Sequence, residues 1–170
     1  MQSYTKYFKS LHWLMAILML GMLIVGWYMN DIATAPFKYE LYGYHKATGM
    51  LILVLVLIRS VWRVSQPVKG HEGTVWQNRL ATAAHLGLYA AMLAMPISGW
   101  FMSSAGGHAI SFFGLFNVPL LDVAKAYGEW AEEVHEVVAS ILWGLIGLHV
   151  AGALYHHFVK KDSTLKRMLP

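Results

Sequence analysis

"HEVVASILWGLIGLHVAGALYHHF", His135 to Phe158, is the stretch on which the reading of this chain turns. It is apolar enough to cross a bilayer, yet it holds four imidazoles, and ionisable groups inside membrane spans are rare and usually functional. Fourteen residues separate His135 from His149. On a helix that is nearly four turns and ~21 Å, so both side chains leave almost the same face at opposite membrane depths. His156 follows seven residues later on the same stripe, at the edge of the span.

The rest of the chain fits around this helix. Its 170 residues are 57% hydrophobic and 13% charged, with a mean hydropathy of +0.47, too little polar surface for a soluble domain of this size. Leu11–Met29, Leu41–Ile58 and Leu80–Met102 are apolar runs comparable with Val137–Phe158. At ~1.5 Å per residue each spans a ~30 Å hydrocarbon core, some with help from flanking residues, and none alternates as a strand would. The expected fold is all-α: an integral membrane four-helix bundle. Its spans lie at approximately 8–29, 40–63, 80–102 and 131–158, in a single domain over 1–170. Ala33-Thr34-Ala35 resembles a signal cleavage site, but the preceding run of 19 residues exceeds a ~7–15-residue signal core, so the first span is read as retained. The chain has no cysteine, which excludes disulfides, thiolate catalysis and Cys-ligated zinc or iron–sulfur centres.

Charge sets the threading. Lys6, Lys9, Arg59, Arg63, Lys69, Arg79, Lys160, Lys161, Lys166 and Arg167 fall on one side, ten of the thirteen Lys and Arg residues, leaving Lys38, Lys46 and Lys125 for the other. By the positive-inside rule both termini and the 2–3 connection are cytoplasmic. The basic C-terminal tail is read as a membrane-surface anchor and not as a nucleic-acid patch. Asp31, Glu40, Asp122, Glu129, Glu132, Glu133 and Glu136 crowd the outer side. The 2–3 connection, Val64–Arg79 with Pro67 and Gly70, is expected to be a loop. The long 3–4 connection, with His108, is expected to lie along the outer interface.

Depth matching then pairs the histidines. His12, one turn inside span one, is level with His149; His45, early in span two, is level with His135. His85 lies near the cytoplasmic side of span three. Paired imidazoles at two depths suit two separate haem irons, whereas zinc needs its ligands gathered within ~2.0–2.1 Å of one point. The alternative is that such histidines merely hydrogen-bond between helices. Gly49, Gly144 and Gly147 leave room for a flat macrocycle, or serve close helix packing. Arg59 and Arg63 inside, and Lys46 outside, are candidate partners for haem propionates. They are equally explained by topology and snorkelling.

"SLHWLMA" (10–16), "GYHKATG" (43–49), "AAHLGLYAAMLAMPISGW" (83–100), "EVHEVVA" (133–139) and "GLHVAGALYHHFVKKDSTLKRMLP" (147–170) together resemble the bacterial cytochrome b561 family. The family is a di-haem four-helix group related to superoxide oxidase and to hydrogenase cytochrome b subunits. The resemblance covers nearly the whole chain. It implies two haem b groups ligated by His12, His149, His45 and His135, in the bacterial inner (cytoplasmic) membrane. It also implies a quinone site near His85 and His156, with ubiquinone as substrate. The implied activity is electron transfer between the quinone pool and an outer-side reactant, superoxide among them. Superoxide is steered by a basic mouth; the outer side counts seven acids against three lysines, with Lys38 and Lys46 forming a local basic spot. Trp27, Tyr28, Tyr39 and Tyr42 line that mouth or form an interfacial belt. Two other roles stay open: a membrane anchor and conduit for a separate periplasmic redox protein, and a non-redox role such as haem carriage.

Overall fold

In a computed structural model, the described residues are 4–31, 36–65 and 74–169. Four long helices run up and down: α1 (Lys6–Asp31), α2 (Pro36–Ser65), α3 (Val75–Ala105) and α4 (Gly128–Tyr155). All four are long and apolar enough to cross a membrane. The helices outrun the expected spans at most ends, because flanking polar turns stay helical in the interface. Ala33-Thr34-Ala35, Pro67, Lys69 and Gly70 lie outside the described residues.

Local chemistry explains the boundaries. Thr74 caps α3: its hydroxyl accepts the Gln77 N–H while the Gln77 side chain accepts the Thr74 N–H, a reciprocal capping box. Pro96 sits inside α3, where it removes one backbone donor. Such breaks are tolerated in membrane helices when neighbours satisfy the freed groups. Helices adjacent in sequence pack on one another, with the most extensive seam between α3 and α4. A central core of Met15, Met19, Leu23, Ile52, Val56, Ala91 and Leu142 fills the middle of the bundle. Met22, Met92 and Met95 pack against it, flexible thioethers suited to filling irregular gaps. Most other large apolar side chains face outward, as a lipid-facing surface requires.

The 3–4 connection is more ordered than a loop. It folds into an antiparallel hairpin of β1 (Ile110–Phe112) and β2 (Phe116–Val118), followed by a 3₁₀ turn at Lys125–Tyr127. The hairpin turns through Phe113 (φ 51°) and Gly114 (φ 77°), closed by the Leu115 N–H donating to the Phe112 carbonyl. Positive φ at both central residues is the mirror-image turn that matches strand twist; glycine adopts it freely and phenylalanine does not. Stacking of Phe112 on Phe116, centroids 5.0 Å apart, accompanies it. Ser104 and Trp100 tie the segment to α3, the Ser104 hydroxyl accepting the Leu121 N–H and the Trp100 indole donating to the Pro119 carbonyl.

The C-terminal tail is likewise folded. A π-helical turn, His156–Lys160, ends α4, and Lys161 (φ 56°) reverses the chain. The tail then returns to α1: the Lys9 ammonium donates to the Leu169 carbonyl at 2.7 Å and the Trp13 indole to the Met168 carbonyl at 2.8 Å. Two ends of the bundle follow, a basic end with this strap and an acidic end with the hairpin.

Candidate functional site

Four of the histidines meet in the depth-matched pairs. At the basic end α1 and α4 bring His12 and His149 to a ring-centroid separation of 6.2 Å, with the planes at 61°. At the acidic end α2 and α4 bring His45 and His135 to 6.4 Å and 66°. A ring nitrogen lies about 1.2 Å from its centroid and a metal–imidazole bond is about 2 Å, so two imidazoles bound to one metal from opposite sides stand about 6.4 Å apart. Both pairs fit. Among the described residues no three His, Cys, Asp or Glu side chains gather to hold a bare metal ion. Two donors per site suit a group that supplies its remaining equatorial ligands itself.

The acidic-end pair sits in a built seat. The Ser98 hydroxyl lies 3.0 Å from His135 Nδ1 and 2.8 Å from the Met95 carbonyl. Its one proton goes to that carbonyl, so its oxygen accepts from His135 Nδ1–H, and the Nε2 lone pair is left for a ligand. Gly99 presses on the same ring: an added Cβ would stand 3.2 Å from His135 Cε1. Gly26 does the same for His45 more loosely, at 3.5 Å from Cε1. His45 Nδ1 is buried with no hydrogen-bond partner among the described residues. Ser98, Gly99 and Gly26 escape a reading from sequence, since only the packed neighbour shows what they touch. Gly144 and Gly147 adjoin open space, where an added Cβ meets nothing within 4 Å, and Gly49 meets only Met22 at 3.9 Å.

Lys46, beside His45, donates to the Ser103 hydroxyl at 3.0 Å, and Ser103 in turn donates to the His108 carbonyl at 2.6 Å. The lysine thus ties α2 to the end of α3, with two of its three ammonium protons left for other acceptors. His108 itself is exposed in the loop. Trp27, Tyr28 and Tyr39 are exposed on the outside, and Lys38 stands 5.8 Å over the Tyr42 ring. A groove of about 390 Å³ opens between α2 and the hairpin, lined by Glu40, Tyr44, Ala47 and Phe113 among others.

The basic end is arranged differently. His85 of α3 joins the pair there, its ring 5.4 Å from His149. Arg59 is buried, with its guanidinium 4.4 Å over the Phe8 ring, within hydrogen-bonding reach of Tyr89 and within electrostatic reach of His12 and His149. Arg63 stands 5.7 Å over Tyr4. Among the described residues, Nη1 of each arginine is buried with no hydrogen-bond partner, and so are His157 Nδ1 and Arg167 Nε. Buried cationic donors without acceptors are costly, and a carboxylate ligand of the site would satisfy them.

His156 is not drawn into that cluster by any hydrogen bond. Its Nδ1 pairs with Asp162 Oδ2 at 2.5 Å, while Asp162 Oδ1 accepts the Thr164 N–H at 2.8 Å. Burial pushes the Asp162 carboxyl up, but the hydrogen bonds from His156 and Thr164 outweigh it and bring it down to about 2.

A family model described as prokaryotic cytochrome b561 matches residues 3–170. The chain is 39% identical over 164 residues to cytochrome b561 homolog 2 of Escherichia coli (strain K12), covering 94% of this chain and 87% of that one. Cytochrome b561 homolog 1 of the same strain is 32% identical, across 100% of this chain and 98% of its own length. A probable superoxide oxidase CybB of Yersinia pestis is 31% identical over 173 residues, 95% of this chain and 92% of the relative.

Proposed function

Because the chain belongs to the prokaryotic cytochrome b561 family, we propose that this multi-pass bacterial membrane electron-transfer protein works as a di-haem b cytochrome. In that reading its whole length forms one inner-membrane unit linking the quinone pool to a reactant on the opposite face. The family membership itself implies haem b. The observation that supports two such groups is the pair of opposed imidazole couples, 6.2 and 6.4 Å apart, one at each end of the bundle.

When bound, haem supplies a one-electron couple in a site whose ligation and dielectric the protein sets. His12 and His149 would hold the group at the basic, cytoplasmic end; His45 and His135 would hold the outer one. Ser98 orients His135 and keeps its Nε2 unprotonated. Arg59 and Arg63 would take propionates inside, and Lys46 one outside through the protons it does not give to Ser103. The core of Met15, Met19, Leu23, Ile52, Val56 and Leu142 excludes water between the two levels. His85 and His156 would serve ubiquinone at the inner end as proton-exchanging groups.

Superoxide is the proposed outer donor, supported by the relative named as a probable superoxide oxidase and by Lys46 beside His45. A second reading rests on a separate observation. Asp122, Glu129, Glu132, Glu133 and Glu136 are all exposed, a surface that would dock a basic periplasmic redox protein. Dithionite-reduced spectra with a haem-to-protein ratio test the cofactor content. Rapid mixing with superoxide, with and without ubiquinone, separates the readings. Oxidation of superoxide by the isolated protein, accelerated by quinone, is expected, and inertness toward it favours the docked partner. A colourless purified protein overturns both.

A further inference from the structure

His156 ends α4 and opens the π-helical turn, a local widening often found at functional sites. What holds it is a residue six positions ahead. Lys161 takes a left-handed conformation, φ 56°, strained for a residue with a side chain. The reversal aims the Asp162 carboxylate back at the helix end. The Asp162 N–H donates to the His156 carbonyl at 3.2 Å, its Oδ2 pairs with His156 Nδ1, and its Oδ1 accepts the Thr164 N–H. Both side chains are mostly covered, with relative exposures of 19% and 14%. Asp162 is therefore fixed from three directions, and the strap beyond it is fixed to α1 by Lys9 and Trp13, which flank His12. Strain at Lys161 and a doubly bonded carboxylate are more than a loose surface tail requires.

We propose that Asp162 is the positioning residue for His156 in quinone reduction, holding Nδ1–H so that Nε2 is the nitrogen that delivers protons. The inference rests on the reading of His156 as part of the quinone site. Reduction of a quinone to its quinol adds two electrons and two protons to its carbonyl oxygens. The electrons come one at a time from a one-electron donor on the acidic side, and the protons from cytoplasmic water. His156 passes its Nε2 proton to a quinone oxygen and regains one from water, while Nδ1–H stays on the carboxylate. Since the Asp162 carboxyl is held near 2, it remains an anion throughout and is not itself the proton donor.

The test uses the full-length haem-loaded protein and a short-chain ubiquinone. Asp162→Asn keeps the shape and removes the charge. It is expected to retain wild-type haem content and a KM within about twofold, with kcat lowered about ten- to a hundredfold, the range for loss of an orienting partner. Electron delivery to ferricyanide, which takes no proton, should stay at the wild-type rate. If Asp162→Asn does not accumulate with haem, Asp162→Glu carries the test, with a severalfold lower kcat at unchanged KM. An unchanged kcat in the variant tested overturns the proposal. So does parallel slowing of ferricyanide and quinone reactions, which marks a purely structural tail. His156→Ala tells the two readings apart. If it slows quinone reduction while Asp162→Asn does not, only the role of Asp162 fails. If His156→Ala leaves quinone reduction untouched, the quinone assignment fails and takes this one with it.

Discussion

The two ends of the bundle hold the same kind of imidazole pair in opposite surroundings. At the acidic end His135 is pinned: Ser98 accepts from its Nδ1 and Gly99 lies close against its ring. At the basic end His149 has another imidazole, His85, on one side and Arg59 nearby, and the buried Nη1 atoms of Arg59 and Arg63 find no acceptor among the described residues. One end is closed by small residues and a hydrogen bond that fixes a tautomer. The other is rich in donors that await an acidic group, beneath a strap that folds back over α1. The contrast teaches that the same imidazole pair can be fixed by close packing and a hydrogen bond at one end and set among cationic donors at the other.

The largest test of that contrast removes a ligand. His135→Ala or His45→Ala should halve the b-type absorbance per protein while leaving the other group in place, and His12→Ala or His149→Ala should do the converse. A full complement of haem in any of the four would refute the pairing. Ser98→Ala attacks the seat alone: with the Ser98 oxygen gone and the Met95 carbonyl the remaining acceptor near His135, affinity for the proposed outer haem should fall about tenfold, read by haem retention during dilution. Gly99→Ala adds a methyl 3.2 Å from His135 Cε1. It should cost about 1–3 kcal/mol, seen as a lower thermal midpoint, whereas Gly26→Ala, with 3.5 Å available, should cost less.

At the basic end Arg59→Met should lower the reduction potential of the inner haem by some tens of millivolts, because a nearby cation favours the electron-rich form. The outer potential should not move, which redox titration of the two groups resolves. The smallest effect concerns acidity. The Asp162 carboxyl titrates near 2 in the fold against 3.8 as a free side chain. The stability from its pairing is therefore fully present above about 4 and is lost as pH falls from there through about 2. Fluorescence of Trp13, whose indole holds the strap, should stay constant down to about pH 4 and change only below it.

Helical arithmetic alone reached the spans and both imidazole pairs, because depth and face follow from counting along continuous helices. It also put His85 at the same end of the bundle as His149, and the structure sets the two rings together. Contacts made across helices were not legible. Nothing in "PISGW" says that Ser98 will meet a residue 37 positions away. The hairpin hides in a short aromatic run whose turn places Phe113 where glycine is usual. Counting also sets His156 on the stripe of His149, but does not foresee the reversal at Lys161 that brings Asp162 to it. α3 starts inside the segment expected to be loop, at a Thr74–Gln77 capping box that the loop reading passed over.

The methionine- and leucine-rich plug between the two levels has an electrical consequence. His135 and His149 stand ~21 Å apart along α4, about two-thirds of a ~30 Å hydrocarbon layer. Under the di-haem reading proposed above, an electron passed between the two levels across this apolar core would move down or up most of the membrane voltage. The work is about 1.6 kcal/mol per 100 mV. Under that reading turnover should quicken or stall as the bilayer is polarised, and the cell's own battery would act as a throttle on this protein.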